Sequence, residues 1–187
     1  ASVRDLIAAV RARPGSLNYA SSGVGSSNHL AAELFKAMSG VNIVHVPYKG
    51  AGPALTALMG GEIQLMFPSA SSVTPHIKSG RLKGLAVTSS EPSALAPGLP
   101  TLAASGLPGY ESSLILGVFA PAGTPAALIQ RLHQEIVKVL QAADVKEKLF
   151  NSGVEAVGSS PGQFAARMKS EMGRLGKVIQ DAGIRAD

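Results

Sequence analysis

Between residues 16 and 80 one order of events recurs three times: a short β-type run, a loop of small or hydroxyl residues, then an apolar-periodic helix. First, Leu17–Ala20 leads through Ser21–Ser27 to a helix near 27–39, with Leu30, Leu34, Ala37 and Met38 on its inner face and Gly40 as its stop. Second, Val41–Val46 leads through residues 47–52 to a helix that opens at Pro53 and closes at Gly60-Gly61. Third, Ile63–Phe67 leads through residues 68–72 to a short helix ending near Gly80, and Leu82–Thr88 reads as a fourth strand. Strands and helices alternating at this length specify an α/β fold with a parallel sheet and right-handed crossovers. In such a sheet every strand-to-helix loop leaves from the same edge, where ligands bind. The loops 21–27, 47–52 and 68–72 are therefore expected on one rim.

Flanking segments read more simply. Residues 2–12 form a helix with Ser2 as N-cap, stopped by Pro14-Gly15. The stretch 91–110 carries Pro92, Pro97, Pro100 and Pro108 and reads as a functional loop or a crossing between lobes. Leu114–Ala120 is expected to be one more strand, and Glu155–Val157 a short extended piece. The remainder is helical: Pro125–Ala142, Asp144–Asn151 and Pro161–Ala182, with Thr124 and Ser160 as N-caps before a Pro at the first helical position. The domain division expected is 1–112 as a ligand-binding lobe, with the crossing at 91–110, and 113–187 as a return strand and C-terminal helices.

Composition excludes several function classes. The chain has no Cys, so disulfides, thiolate metal sites and Cys nucleophiles are all absent. Its formal charge of +5 is spread along the chain with few aromatics between the basic residues, so no nucleic-acid partner is expected. A mildly basic surface suits an anionic small ligand. No apolar run is long enough to span a membrane, and Ala1-Ser2-Val3-Arg4-Asp5 runs straight into a helical pattern instead of a signal peptide.

The strongest chemical signal is the loop Ser21-Ser22-Gly23-Val24-Gly25-Ser26-Ser27. It lacks the third glycine of a dinucleotide fingerprint and the Gly-Lys-Ser/Thr of a phosphate loop. Free N–H groups at a helix start, flanked by hydroxyls, nevertheless form a seat for a carboxylate or phosphate. The bland alternative is a glycine turn with Ser26 simply capping a helix. Tyr48 and Gly50 could add a phenol and an N–H from the second loop, while Pro68 and Ser69 would line the pocket from the third. His29 falls in the first turn of the helix under the Ser loop; it could touch a ligand or merely pair with Glu33. His45 and His133 read as structural. No His pair has metal-site spacing, so neither a metal nor a cofactor is expected. No acidic residue falls in the three rim loops and there is no Gly-x-Ser-x-Gly elbow, which argues against an enzyme.

Several segments together resemble one family. Leu17 to Gly23, Ser26 to Phe35, Val46-Pro47-Tyr48-Lys49-Gly50, Gly60-Gly61-Glu62-Ile63, Leu85-Ala86-Val87-Thr88, Phe119 to Pro125 and the terminal Ala182 to Asp187 resemble the Bug receptors. These are the extracytoplasmic solute-binding proteins of tripartite tricarboxylate transporters. The resemblance implies a periplasmic-binding-protein type II-like lobe with a mainly parallel sheet, followed by C-terminal helices. It also implies periplasmic capture of a small carboxylate, namely an amino-dicarboxylate, a di- or tricarboxylate or an aromatic acid, and its transfer to membrane transporter subunits. By this likeness residues 16–89 are most of the second lobe, and a signal peptide and a first lobe with a Pro-Gly-Gly-type loop would precede the chain. The late helices would pack on that first lobe, and without it a homodimer stays open. One departure bears on selectivity: Pro68-Ser69-Ala70-Ser71-Ser72 stands where an Asn-containing loop is expected. Two alternatives remain beside this reading, a stand-alone sensor or protein-interaction module and a small anion-handling enzyme using His29.

Overall fold

The structure is a computed structural model that describes residues 2–185; Ala1 and the Ala186-Asp187 end of the last family-like segment lie outside it. The chain divides into two compact units. One holds the residues up to Leu114 together with those from Arg174 onward, and the other is Ile115–Gly173.

The first unit is built on a three-stranded parallel sheet of order β2-β1-β3, from β1 (Asn18–Ser21), β2 (Val44–Pro47) and β3 (Leu65–Met66). Around it lie α1 (Val3–Ala12), α2 (Ser27–Ser39), α3 (Ala51–Met59) and α4 (Ala70–Lys78). Alternation along β1 divides the core between the two faces of the sheet. Tyr19 joins Val10, Phe35, Ile43, Leu102 and Tyr110 on one side, and Ala20 joins Ala54, Ala57 and Ile63 on the other. The Tyr110 hydroxyl donates to the Ala31 carbonyl (2.8 Å) and ties the 91–110 segment to α2. Ser2 and Asp5 form a reciprocal capping box on α1, and Gly40 ends α2 in the left-handed conformation, both as the sequence predicts.

The fourth strand expected at Leu82–Thr88 does not form. Its backbone pairs with the 100–102 segment instead, through Val87 N–H to Pro100 O (2.8 Å) and Leu102 N–H to Val87 O (2.9 Å), giving one isolated bridge. Leu99 lies directly over Gly84. A strand interrupted by Gly has little side-chain surface of its own to pack.

The second unit contains α5 (Ala126–Gln141), α6 (Ala143–Asn151) and the start of α7 (Pro161–Asp181). The strand expected at Leu114–Ala120 is also absent, because no described strand runs beside it to take its backbone groups. Its Leu116, Val118 and Phe119 are exposed, and the Phe164 ring sits over Gly117. The extended piece at 155–157 is not a strand either. Ser160 and Gln163 do form a capping box on α7. Thr124 does not cap α5: its hydroxyl turns back to the Pro121 carbonyl (2.8 Å) and Pro125 takes the cap position. From Arg174 onward α7 belongs to the first unit, where Val178 is buried and the Arg174 guanidinium donates to the Glu111 carbonyl.

Candidate functional site

All three strands are parallel, so the loops that follow them leave from one edge of the sheet, as the sequence predicts. The first two loops are joined directly: Tyr48 N–H donates to Ser21 O (3.0 Å) and Gly50 N–H to Ser22 O (3.1 Å). Each of the three loops opens a helix, and Ser26, Gly50 and Ser69 are the N-caps. None of these caps takes a helix N–H onto its side chain, and no acidic residue lies in any of the three first turns. The first two N–H groups of each of α2, α3 and α4 are thus left to water or a ligand, with the positive end of each helix dipole behind them; the third position of α3 is Pro53, and the third N–H of α4 already bonds Ser69 O (3.1 Å). Helices α5 and α6 also start without a side-chain cap, so it is the convergence of three such starts that marks this edge.

The Ser loop is held in shape by its own hydroxyls. Asn28, nearly buried at the second position of α2, accepts at Oδ1 from Ser22 N–H (3.1 Å) and Ser22 Oγ–H (3.1 Å), and Ser26 Oγ lies 2.6 Å from the same atom. Ser26 Oγ is equally close to the Gly23 carbonyl (2.6 Å). Ser21 is fully buried; its hydroxyl donates to Gly23 O (3.0 Å) and accepts from Gly23 N–H (3.2 Å). Gly23 and Gly25 carry φ of 138° and 74°, values that glycine reaches without strain. That backbone turns the Gly25 N–H inward onto His29 Nδ1 (3.0 Å).

Beneath the loop lies a cluster of three rings. His29 and His45 are face to face, with centroids 3.9 Å apart and planes inclined by 10°, and Tyr19, opposite His45 in the strand register, lies beside it at 4.8 Å and at 6.3 Å from His29. His45 Nε2 is 2.6 Å from Ser21 Oγ. The Tyr19 hydroxyl donates to Glu33 Oε1 (2.5 Å), and Lys36 Nζ reaches the same oxygen (2.7 Å). Burial is the main cause that pushes both histidines below their usual range, His45 to about 4, where the neighbouring His29 adds to the effect. Glu33 pulls the other way on both. Burial and the Glu33 carboxylate raise the Tyr19 phenol.

The expected site residues therefore fall into two layers. Ser22, Gly23, Gly25, Ser26, Ser27, Tyr48, Gly50, Pro68 and Ser69 lie on the rim edge, with Gly25, Ser27 and Ser69 exposed. Ser21 and His29 lie under the loop, and His29 is only 5% exposed. Sequence reasoning passed over Asn28, named Glu33 only as a partner for His29, which the structure places 4.0 Å away, and read His45 as structural. An Asn two residues past a serine N-cap, and a His whose strand register faces Tyr19, were the signals available. Away from the rim, a concavity of about 330 Å³ between α1 and the C-terminal end of α2 is lined by Arg4, Arg11 and Met38, and the Arg11 guanidinium already bonds Ser39 O (2.7 Å). No cluster able to hold a metal ion occurs among the described residues.

The family model described as the tripartite tricarboxylate transporter family receptor matches residues 1–184. The chain belongs to that family. A protein of the tcbD-tcbE intergenic region in Pseudomonas sp. (strain P51) is 40% identical over 99% of this chain and 55% of its own length. Protein BugT of Bordetella pertussis is 36% identical over 96% and 55%. The chain thus spans about half the length of these curated relatives. Among solved structures, an R. palustris protein with adipate matches at a TM-score of 0.85 and 38% identity, covering 98% of this chain and 61% of that one. MatC from Rhodopseudomonas palustris with bound malate matches at 0.76 and 27%, covering 95% and 62%. The periplasmic binding protein BugD matches at 0.78 and 28%, covering 100% of this chain and 63% of that one, and the family is one of receptors, not enzymes. No described helix of this receptor chain is long and apolar enough to cross a membrane.

Proposed function

We propose that this chain is the part of a periplasmic receptor that seats a small organic carboxylate on its three-loop edge and yields it to membrane transporter subunits. One observation carries the reading: three uncapped, acid-free helix starts, those of α2, α3 and α4, leave the same edge of one parallel sheet. The first-turn N–H groups of α2 take one carboxylate, with the exposed Ser27 hydroxyl beside them. Gly50 and Tyr48 frame the second side, and Pro68 and Ser69 shape the remainder. The hydroxyls of Ser21, Ser22 and Ser26 act as braces, since each is engaged inside the loop. Neutral donors suit reversible capture, because a buried unpaired charge would be costly whenever the site is empty. That one relative was solved with adipate and another with malate supports a dicarboxylate.

The test is isothermal titration of the complete gene product with a panel of adipate, malate, glutamate, citrate and benzoate, with glucose and putrescine as controls. Saturable binding of at least one acid, lost in a variant that places Asp at Ser27, is the expected outcome. If every acid fails while the protein is folded, or if the Ser27 variant binds as well as the wild type, the assignment falls.

A further inference from the structure

Resting on that reading, we propose that His29 and His45 are positioning residues of the carboxylate seat, which together fix the Gly23–Ser26 turn from below in their neutral forms. The hydrogen-bond partners define the tautomers. Gly25 N–H donates to His29 Nδ1, so that nitrogen must carry a lone pair and the ring proton sits on Nε2. Ser21 Oγ lies 2.6 Å from His45 Nε2, a contact in which either atom can donate; with the Ser21 proton on Gly23 O, the His45 proton sits on Nε2. One ring thus takes an N–H inward from the turn, and the other supplies an N–H to the serine that braces it.

Among the described residues, the titratable groups acting on this pair come from β1 and α2. Tyr19 from β1 stacks on His45; Glu33 Oε1 from α2 is 4.0 Å from His29 Nε2; Lys36, also from α2, holds that carboxylate at 2.7 Å. Glu33, engaged by Tyr19 and Lys36, favours the charged form of both rings, and the Lys36 ammonium opposes it, so burial decides the balance toward the neutral form. Adding a proton to His29 turns Nδ1 from acceptor into donor, opposite an N–H that is also a donor. The Gly25 contact then becomes repulsive and the turn must open. The stacked rings, 3.9 Å apart, oppose charging together. Affinity for a carboxylate is therefore lost on acidification through a group that never touches the ligand, a behaviour distinct from protonation of the ligand itself.

The experiment compares pH profiles of adipate and malate binding in the complete gene product for wild type, His29→Asn, His29→Leu and His45→Gln. Asn keeps an acceptor near the Nδ1 position and cannot titrate; Leu removes the acceptor. Between about pH 7 and about pH 4, wild-type affinity should fall roughly tenfold more than that of His29→Asn, a comparison in which the ligand's own titration cancels. His29→Leu should bind about tenfold more weakly than His29→Asn at every pH. His45→Leu, measured beside His45→Gln, lacks the N–H toward Ser21 and should bind about tenfold more weakly than His45→Gln, which keeps one. Nitrogen-15 spectra of the wild type supply a readout free of substitution: the His29 ring should show the Nε2–H tautomer, and the Gly25 amide should shift as His29 titrates. Parallel profiles for wild type and His29→Asn, or the opposite tautomer, overturn the inference. Absence of binding by any acid at any pH would instead count against the proposed function, while the tautomer and the Gly25 shift still decide the positioning role.

Discussion

Asn28→Asp separates the two things this loop must do. Asn28 Oδ1 receives Ser22 N–H and Ser22 Oγ–H at 3.1 Å each and Ser26 Oγ at 2.6 Å, and Asp presents an oxygen of the same geometry to the same donors. Those donors keep the new carboxylate ionised and its position in the first turn of α2 suits the helix dipole, worth about 0.3–1 kcal/mol. Some desolvation cost offsets this, so folding stability should stay within about 1 kcal/mol of wild type. A ligand carboxylate seated on the same helix start would lie about 6 Å away. At an effective dielectric of about 20, two like charges at that separation repel by about 3 kcal/mol, a loss of roughly a hundredfold in affinity. Asn28→Ala is the counterpart: it strips the donors of their acceptor, costs about 1–3 kcal/mol of stability and loosens the turn. Urea unfolding and titration calorimetry with adipate on the same preparations measure both quantities. An Asn28→Asp protein that binds as tightly as wild type would refute the placement of the carboxylate at α2.

Other expectations follow from the same packing. Because His45 is held neutral, the unfolded chain takes up more protons than the native one between pH 6.5 and about 4, so stability should rise with pH across that window and level off below it. Partial exposure screens the effect, leaving about 1–2 kcal/mol, and chemical unfolding of His45→Gln should show a visibly flatter profile. Phe35, 1% exposed and packed on the α2 face of the sheet, should cost about 3–5 kcal/mol when replaced by Ala, read as a fall in urea midpoint. Tyr19→Phe leaves Glu33 with Lys36 but without its phenolic donor, and should cost about 1–3 kcal/mol with the ring stack preserved. Replacing both Ser26 and Ser27 by Ala should weaken adipate binding by about 1–3 kcal/mol, with Ser26 acting through the turn.

Much of the architecture could be read along the chain. Apolar spacing placed α2 from Ser27 to Ser39, and Gly40 ended it, because local capping and helix periodicity both act within a few residues. The parallel order of β1, β2 and β3, and with it the common edge of their loops, followed from alternation and chain handedness alone. The failures have one cause. The segments at 82–88 and 114–120 have strand-like composition, but a strand exists only where a neighbour takes its backbone bonds, and no local pattern names that neighbour. The site divides in the same way. Ser and Gly at a helix start marked a candidate anion seat in the sequence, since the N–H groups exposed there depend only on where the helix begins. Which hydroxyls face a ligand and which brace the loop was decided by tertiary structure. Asn28 gathers Ser22 and Ser26 inward, and register across β1 and β2 sets His45 against Tyr19 and beneath His29. Residues separated by 16 or more positions in the chain meet only when the sheet forms, and burial there favours the neutral forms of both histidines.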